Sequence, residues 1–463
     1  MRRAVAAVNL TSAIASEEGI PAARLFYLSE LKRPAEDADA PDSIRTLCAT
    51  GAVDLANAIS ASDGMKAAFA FYAGQLQAQA DRPGAPLGVR ACRAGAAFNL
   101  LIDLAHSADT QAMRGFYESE LAVPAMREDA PEAVYVQRAM GAFNVMCRLL
   151  EAEGVDSASK FFVRELKKPA EHLRALEIMK VRRAMAAVNL VSPIAKQGGI
   201  DKALKFYESE LAQPASQSGA SEELHEKRGM AAVNLIGAIA TAKGLEAALA
   251  FYRTELKAVA EQEGASNFQR SHRAAAAARL MDAVGEAEGF SGALAFYDAE
   301  LRGPAMLPDA PDGVRIHRAF VALNLANWIL EIKDLRTALE FYTKELKAAA
   351  ECAGAPDIVR VKRSLSASNI IKRLLATEGL DAALAFYHTE LKGPAEQGNA
   401  PAEVRVQQGV TAFNIIAHLA KTKGSDAALA FYETDLRPQA ERPDAPEQVR
   451  SMDVKARSAL GLQ

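Results

Sequence analysis

"RGMAAVNLIGAIATAKGLEAALAFYRTELKAVA", residues 228–260, restates "RAMAAVNLVSPIAKQGGIDKALKFYESELAQPA", residues 183–215, at an offset of 45 residues. The same offset carries Phe through Phe26, Phe71, Phe116, Phe161, Phe206, Phe251, Phe296, Phe341, Phe386 and Phe431, with Leu five residues later each time, from Leu31 to Leu436. A fixed period of this size marks a stacked array, in which one supersecondary unit buries its apolar face only against its neighbours. The expected fold is all-α: a right-handed α-solenoid of about ten helix-turn-helix repeats of 45 residues. It forms a single array over 1–463, closed by a capping helix at 446–463.

Each repeat contains two helical segments. The first opens at a proline suited to the first helical position (Pro41, Pro86, Pro131, Pro311, Pro356, Pro401, Pro446), with Ser221 and Ser266 as N-caps in its place. Leu176 stands at the remaining junction, where the run "PAEHLRALEIMKVRR" is expected to blur the break between two helices. About 20 residues on, a glycine such as Gly64, Gly154, Gly199 or Gly379 supplies a left-handed residue to end the helix. The second helix carries "AALAFYxxEL", and its Phe and Leu columns read as core. Stacked pairs of this kind imply a curved superhelix with a concave and a convex side.

The Ala248 to Tyr252 spacing resembles the tetratricopeptide repeat, and "NLIGAIATAKG" at 234–244 resembles the pentatricopeptide repeat, with Asn ten residues before Gly. That resemblance implies a helical-repeat fold and a binding role toward protein or single-stranded RNA. The tetratricopeptide Trp is absent and the period exceeds the ~34 residues of that family. The place of the pentatricopeptide base-reading partner holds only small residues such as Ala184, Gly229 and Ala274, so no base code carries over.

Composition narrows the class. Half the 463 residues are apolar, yet no apolar run approaches the ~18 residues of a membrane span. Cys48, Cys92, Cys147 and Cys352 show neither CxxC spacing nor repeat periodicity, which points to no metal site and to a reducing, intracellular setting of unspecified compartment. The N-terminal "MRRAVAAVNLTSAIASEEG" has the outline of a signal peptide but aligns in register with 181–199, so it reads as a repeat helix and no address label is expected. A start inside a repeat leaves room for residues upstream. No phosphate loop, nucleophile elbow or HExxH breaks the period, so no catalysis and no cofactor are expected.

The candidate site is a polar stripe on the first helix. Asn recurs as Asn9, Asn99, Asn144, Asn189, Asn234, Asn324, Asn369 and Asn414, replaced by Asp54 and Arg279. Helical projection sets the residues seven and four before it, and three and seven after it, on its side. Seven before stand mostly basic or hydrogen-bonding groups, among them Arg182, Lys227, His272, His317 and Lys362; four before are apolar residues such as Met185 and Phe320; three after, the type changes from repeat to repeat. One reading makes the Asn structural, bonded to backbone in an adjacent repeat. The favoured reading makes the stripe, Asn99, Asn144, Asn189, Asn234, Asn324, Asn369 and Asn414 with Arg182, Lys227, His272, His317 and Lys362, a concave site for single-stranded RNA. A peptide or partner helix is the alternative occupant, and the formal charge of −4 gives nucleic acid no global attraction.

A second polar pattern pairs Arg (Arg3, Arg93, Arg138, Arg183, Arg228, Arg273, Arg318, Arg363) with Glu in the second helix (Glu30, Glu120, Glu165, Glu210, Glu255, Glu300, Glu345, Glu390). The repeats lacking this Arg, at Cys48 and Gln408, also lack the Glu, at Gln75 and Asp435. Counting along regular antiparallel helices nevertheless places Glu120 level with Arg138, so the expected ladder crosses from one repeat to the next.

Overall fold

The computed structural model describes residues 1–106, 109–172 and 175–462. Every regular element among them is helical, and successive helices pack against their sequence neighbours in an α-solenoid of repeats. The chain divides into two compact units, residues 1–238 and 239–463.

Within the first unit the fourth repeat shows the plan. Its first helix, Glu132–Ala152, ends two residues before Gly154 at φ 86°, and the second helix starts at Val155. Without a Cβ, glycine takes that positive φ freely, so the chain reverses there at little cost. The second helix runs as α-helix over Val155–Phe162, widens into a π turn over Val163–Lys167 and returns to one α turn, Lys168–Ala170. The second unit repeats the pattern, for example in Leu380–Tyr387, His388–Lys392 and Gly393–Glu396. The π turn also occurs in Arg253–Lys257, where no proline follows in Ala258–Ala260, so packing rather than proline imposes it.

Where the turning glycine is missing, an aspartate replaces its function by a different route. The Asp109 carboxylate accepts from the Ala112 N–H, and that of Asp334 from the Thr337 N–H, each capping the second helix. The prolines sit one residue earlier than expected: Pro41 and Pro131 are extended, with ψ 149° and 155°, and helix begins at the following residue. Leu176 takes the same geometry (φ −69°, ψ 151°), so the chain breaks there and the next helix opens at Glu177; residues 173 and 174 of that run lie outside the described residues. Ser266 forms a full capping box with Gln269, whereas among the described residues the buried Ser221 hydroxyl finds no hydrogen-bond partner, contrary to its expected capping role.

The core belongs to the residue after Phe rather than to Phe itself. Tyr27, Tyr72, Tyr117, Tyr252, Tyr297, Tyr342 and Tyr387 are fully buried, as is the Leu column, while most of the Phe rings are half-buried. Phe rings lean on the preceding repeat's aromatic: Phe71 on Tyr27 at 5.8 Å between ring centroids, Phe161 on Tyr117 at 5.5 Å, Phe386 on Tyr342 at 5.6 Å. Tilted and edge-on contacts of this kind add to the area buried, so the aromatics stitch repeat to repeat. The last helix, Glu447–Leu460, lies on the tenth repeat with Val449 and Ala456 buried, and its Asp453 carboxylate accepts from the Tyr432 hydroxyl at 2.7 Å.

Candidate functional site: the asparagine stripe and the polar clamp beneath it

The Asn column stays at the surface. Asn189, Asn324, Asn369 and Asn414 are exposed, and Asn99, Asn144 and Asn234 half-buried. Three of them bond side chains rather than backbone. Asn99 Nδ2 donates to Asn57 Oδ1 at 3.1 Å, Asn189 Nδ2 to Cys147 Sγ at 3.3 Å, and Asn369 Nδ2 to Asn327 Oδ1 at 2.8 Å. Each partner is the residue three past the Asn position in the preceding repeat, 42 residues earlier. Asp54 keeps the pattern: burial pushes its carboxyl up, and a hydrogen bond from Ser12, 42 residues before it, opposes the rise. In these four repeats the uniform column and the varied column are therefore two halves of one side-chain link, which separate treatment of the columns missed. The 42-residue offset, three short of the period, was its only trace in the sequence.

The basic residues seven before the Asn lie down on the array. Lys362 Nζ sits 3.7 Å from the centroid of Phe320, and the Arg182 guanidinium lies 6.0 Å from that of Phe143 while donating to Met185 Sδ at 3.4 Å. Lys227 Nζ meets Glu226 Oε1 at 2.8 Å. His272 and His317 are half-buried; burial, with the Arg279 charge adding to it, holds the His317 imidazole below its ordinary value and so neutral near pH 7. What the stripe presents is amide groups beside half-exposed apolar side chains, Met140, Met185 and Met230 in the first unit and Phe320, Leu365 and Val410 in the second. Among the described residues no group of His, Cys, Asp or Glu is placed to hold a metal ion, and no helix is long and apolar enough to cross a membrane.

Under the stripe the Arg and Glu columns meet, but within a repeat and not across the junction. Arg138 Nη2 donates to Glu165 Oε2 at 3.1 Å; the same contact joins Arg93 to Glu120 at 2.8 Å, Arg183 to Glu210 at 2.6 Å and Arg363 to Glu390 at 2.9 Å. The expected Glu120 and Arg138 pair is thereby corrected. Glu165 lies inside the π turn Val163–Lys167, where counting by regular α-helical geometry no longer gives a side chain's direction. The joint loss of both residues in the second and tenth repeats was the truer signal.

The junction is crossed by other groups. The Glu carboxylate also accepts from the preceding repeat's tyrosine, as Glu165 does from Tyr117 at 2.9 Å, Glu300 from Tyr252 at 2.6 Å and Glu390 from Tyr342 at 3.0 Å. A lysine five residues past that aromatic position, which is Phe162 in the fourth repeat, adds a further donor: Lys167 on Glu210, Lys257 on Glu300, Lys347 on Glu390. Burial by itself would raise these carboxyls. The hydrogen bonds and charges of Arg138 on Glu165, and of Lys167, Lys257 and Lys347 on the others, prevail and hold all four below their ordinary value of 4.5. Burial pushes the partner phenols far up, so they stay protonated and donate. A buried carboxylate held by donors from its own repeat and the preceding one acts as a structural joint.

No family model and no curated protein matches the chain. Among solved structures, the crystal structure of an engineered protein is similar at 14% identity, with a TM-score of 0.33 over 98% of this chain and 99% of its own.

Proposed function

We propose that this chain is a non-enzymatic binding protein of the tetratricopeptide-like kind, whose first-helix face takes an extended polypeptide segment. The observation that carries the reading is Asn369. Its Nδ2 is held by Asn327 at 2.8 Å, which orients the amide, while among the described residues its carbonyl oxygen and second N–H have no bonded partner and lie on an exposed surface beside Leu365. An amide that both donates and accepts matches one peptide group of an extended chain. Neighbouring first helices pack ~10 Å apart, about three residues of extended chain, so successive repeats would meet every third residue of the guest. The apolar residues of the stripe suit its side chains. The cations there rest on Phe320, Phe143 and Glu226, which makes them poor phosphate neutralisers.

The test titrates the full chain with a pool of random peptides of about 12 residues, long enough to meet several repeats, and in parallel with a labelled single-stranded RNA pool, each at low and high salt. Saturable peptide binding that survives salt and weakens in Asn189→Ala with Asn234→Ala is the expected result. Saturable RNA binding with a steep salt dependence, and none of peptide, would replace this reading with an RNA reader.

A further inference from the structure

The seventh and eighth repeats depart together from the pattern of their neighbours. The only tryptophan of the chain, Trp328, stands four residues past Asn324, where Ala13, Ala58 and Ala283 show small side chains to be sufficient. Its indole lies across the adjacent first helix at Gly285: a Cβ there would come within 3.0 Å of Trp328 Cη2, so the glycine makes room for the ring. Phe290 braces it edge-on, with ring centroids 5.3 Å apart and planes at 89°. Between the two first helices this leaves an open cavity of about 540 Å³, floored by the buried Met281 and Leu325 and walled by Trp328. Asp282, Glu286 and Glu331 stand on its rim. All three are exposed, and none makes an ion pair among the described residues. Among the described residues the lining holds these three carboxylates and no Lys or Arg, so the rim is negatively charged. Asn324 also lines the cavity, which makes it continuous with the amide stripe.

We infer that this cavity takes a cationic side chain, Arg or Lys, from the polypeptide bound along the stripe, with the charged head over the Trp328 ring and between the three carboxylates. The inference rests on the polypeptide reading and adds a requirement to it: the guest is basic where it passes the eighth repeat. An aromatic face attracts a cation through its quadrupole, most effectively when the ring is partly withdrawn from water, and indole is the best such face. Half-burial of Trp328 supplies that condition. The carboxylates act on the same head from the rim, and the two contributions together exceed what exposed ion pairs achieve singly.

Because Trp328 is the sole tryptophan, its fluorescence reports this cavity alone. The full chain is titrated with a blocked hexapeptide of alternating Gly and Arg, and with the same peptide carrying Lys, citrulline or Glu in place of Arg. The Arg and Lys peptides are expected to change the emission saturably below ~1 mM, a weak but measurable affinity. The citrulline and Glu peptides are expected to leave it unchanged. Glu286→Gln with Glu331→Gln should weaken the Arg peptide about tenfold while circular dichroism stays as in the wild type. Trp328→Leu should weaken it similarly by calorimetry. Citrulline binding equal to Arg, an unchanged affinity in the double variant, or no saturable response to Arg would overturn the inference. If random peptides still bind and still weaken in Asn189→Ala with Asn234→Ala, that failure is confined to the cavity; if they do not bind at all, the polypeptide reading falls first.

Discussion

The Tyr72 hydroxyl donates to Glu120 Oε2 at 2.6 Å across the boundary between two repeats, while Arg93 Nη2 reaches the same oxygen at 2.8 Å from within the repeat that owns the glutamate. One carboxylate thus ties a helix pair together and ties it to the pair before. The stacking of the array is held by these joints as well as by apolar area.

Removing the donor at one joint leaves a buried carboxylate short of a partner. Tyr342→Phe should lower stability by ~1–3 kcal/mol, read from urea unfolding. The fourth repeat offers the reverse experiment, because Phe162 stands where the others carry tyrosine, and Glu210 is held by Lys167, Arg183 and Ser209 with no tyrosine hydroxyl among the described residues. Phe162→Tyr should raise stability by about 1 kcal/mol; a loss would show that the hydroxyl has no room there.

A double-mutant cycle distinguishes the two pairings of the ladder. Arg138→Ala and Glu165→Ala should couple by more than ~1 kcal/mol, whereas Arg138→Ala and Glu120→Ala should be additive within ~0.5 kcal/mol. Arg363→Ala alone should cost ~1–3 kcal/mol, because Glu390, at 7% side-chain exposure, keeps Lys347 and Tyr342 but loses its arginine.

Acid should loosen these joints. The carboxyls of Glu165, Glu210, Glu300 and Glu390 lie below their ordinary value of 4.5 in the folded chain, so below that value the unfolded chain binds more protons. Their contribution is complete above pH 4.5 and is lost as pH falls through the lowered folded values. The urea midpoint should therefore be level near neutrality and drop below pH 4.5, and the drop should be shallower in Glu300→Gln. A midpoint that rises on acidification would contradict the joint.

Deleting residues 312–356, one period in register, joins Pro311 to Asp357 with the same capping geometry at both ends. The shortened chain should fold, with unchanged helicity per residue and a urea m-value reduced in proportion to the surface removed. Loss of helicity after this deletion would show that the repeats are not interchangeable units.

Much of this architecture is readable in the one-dimensional pattern, because it follows from local rules. The 45-residue period, the glycines at Gly64, Gly154 and Gly379 that turn the chain, and the apolar columns are properties of a single repeat, and a helix pair enforces them residue by residue. The candidate stripe was legible as a column of Asn for the same reason: helical projection places Asn189 and Asn369 on one face whatever surrounds them.

The partners of those residues depended on how one repeat lies on the next. Regular counting set Glu120 against Arg138, whereas the contact is to Arg93 of its own repeat. Counting by whole periods treated the Asn column and the column after it as independent, and the stacking offset joined Asn369 to Asn327. The indole of Trp328 meets Gly285 for the same reason. A periodic sequence specifies each helix through spacing along its own chain; the rotation and rise between packed helices, set by side-chain volume and by where the helix widens, decide which columns touch.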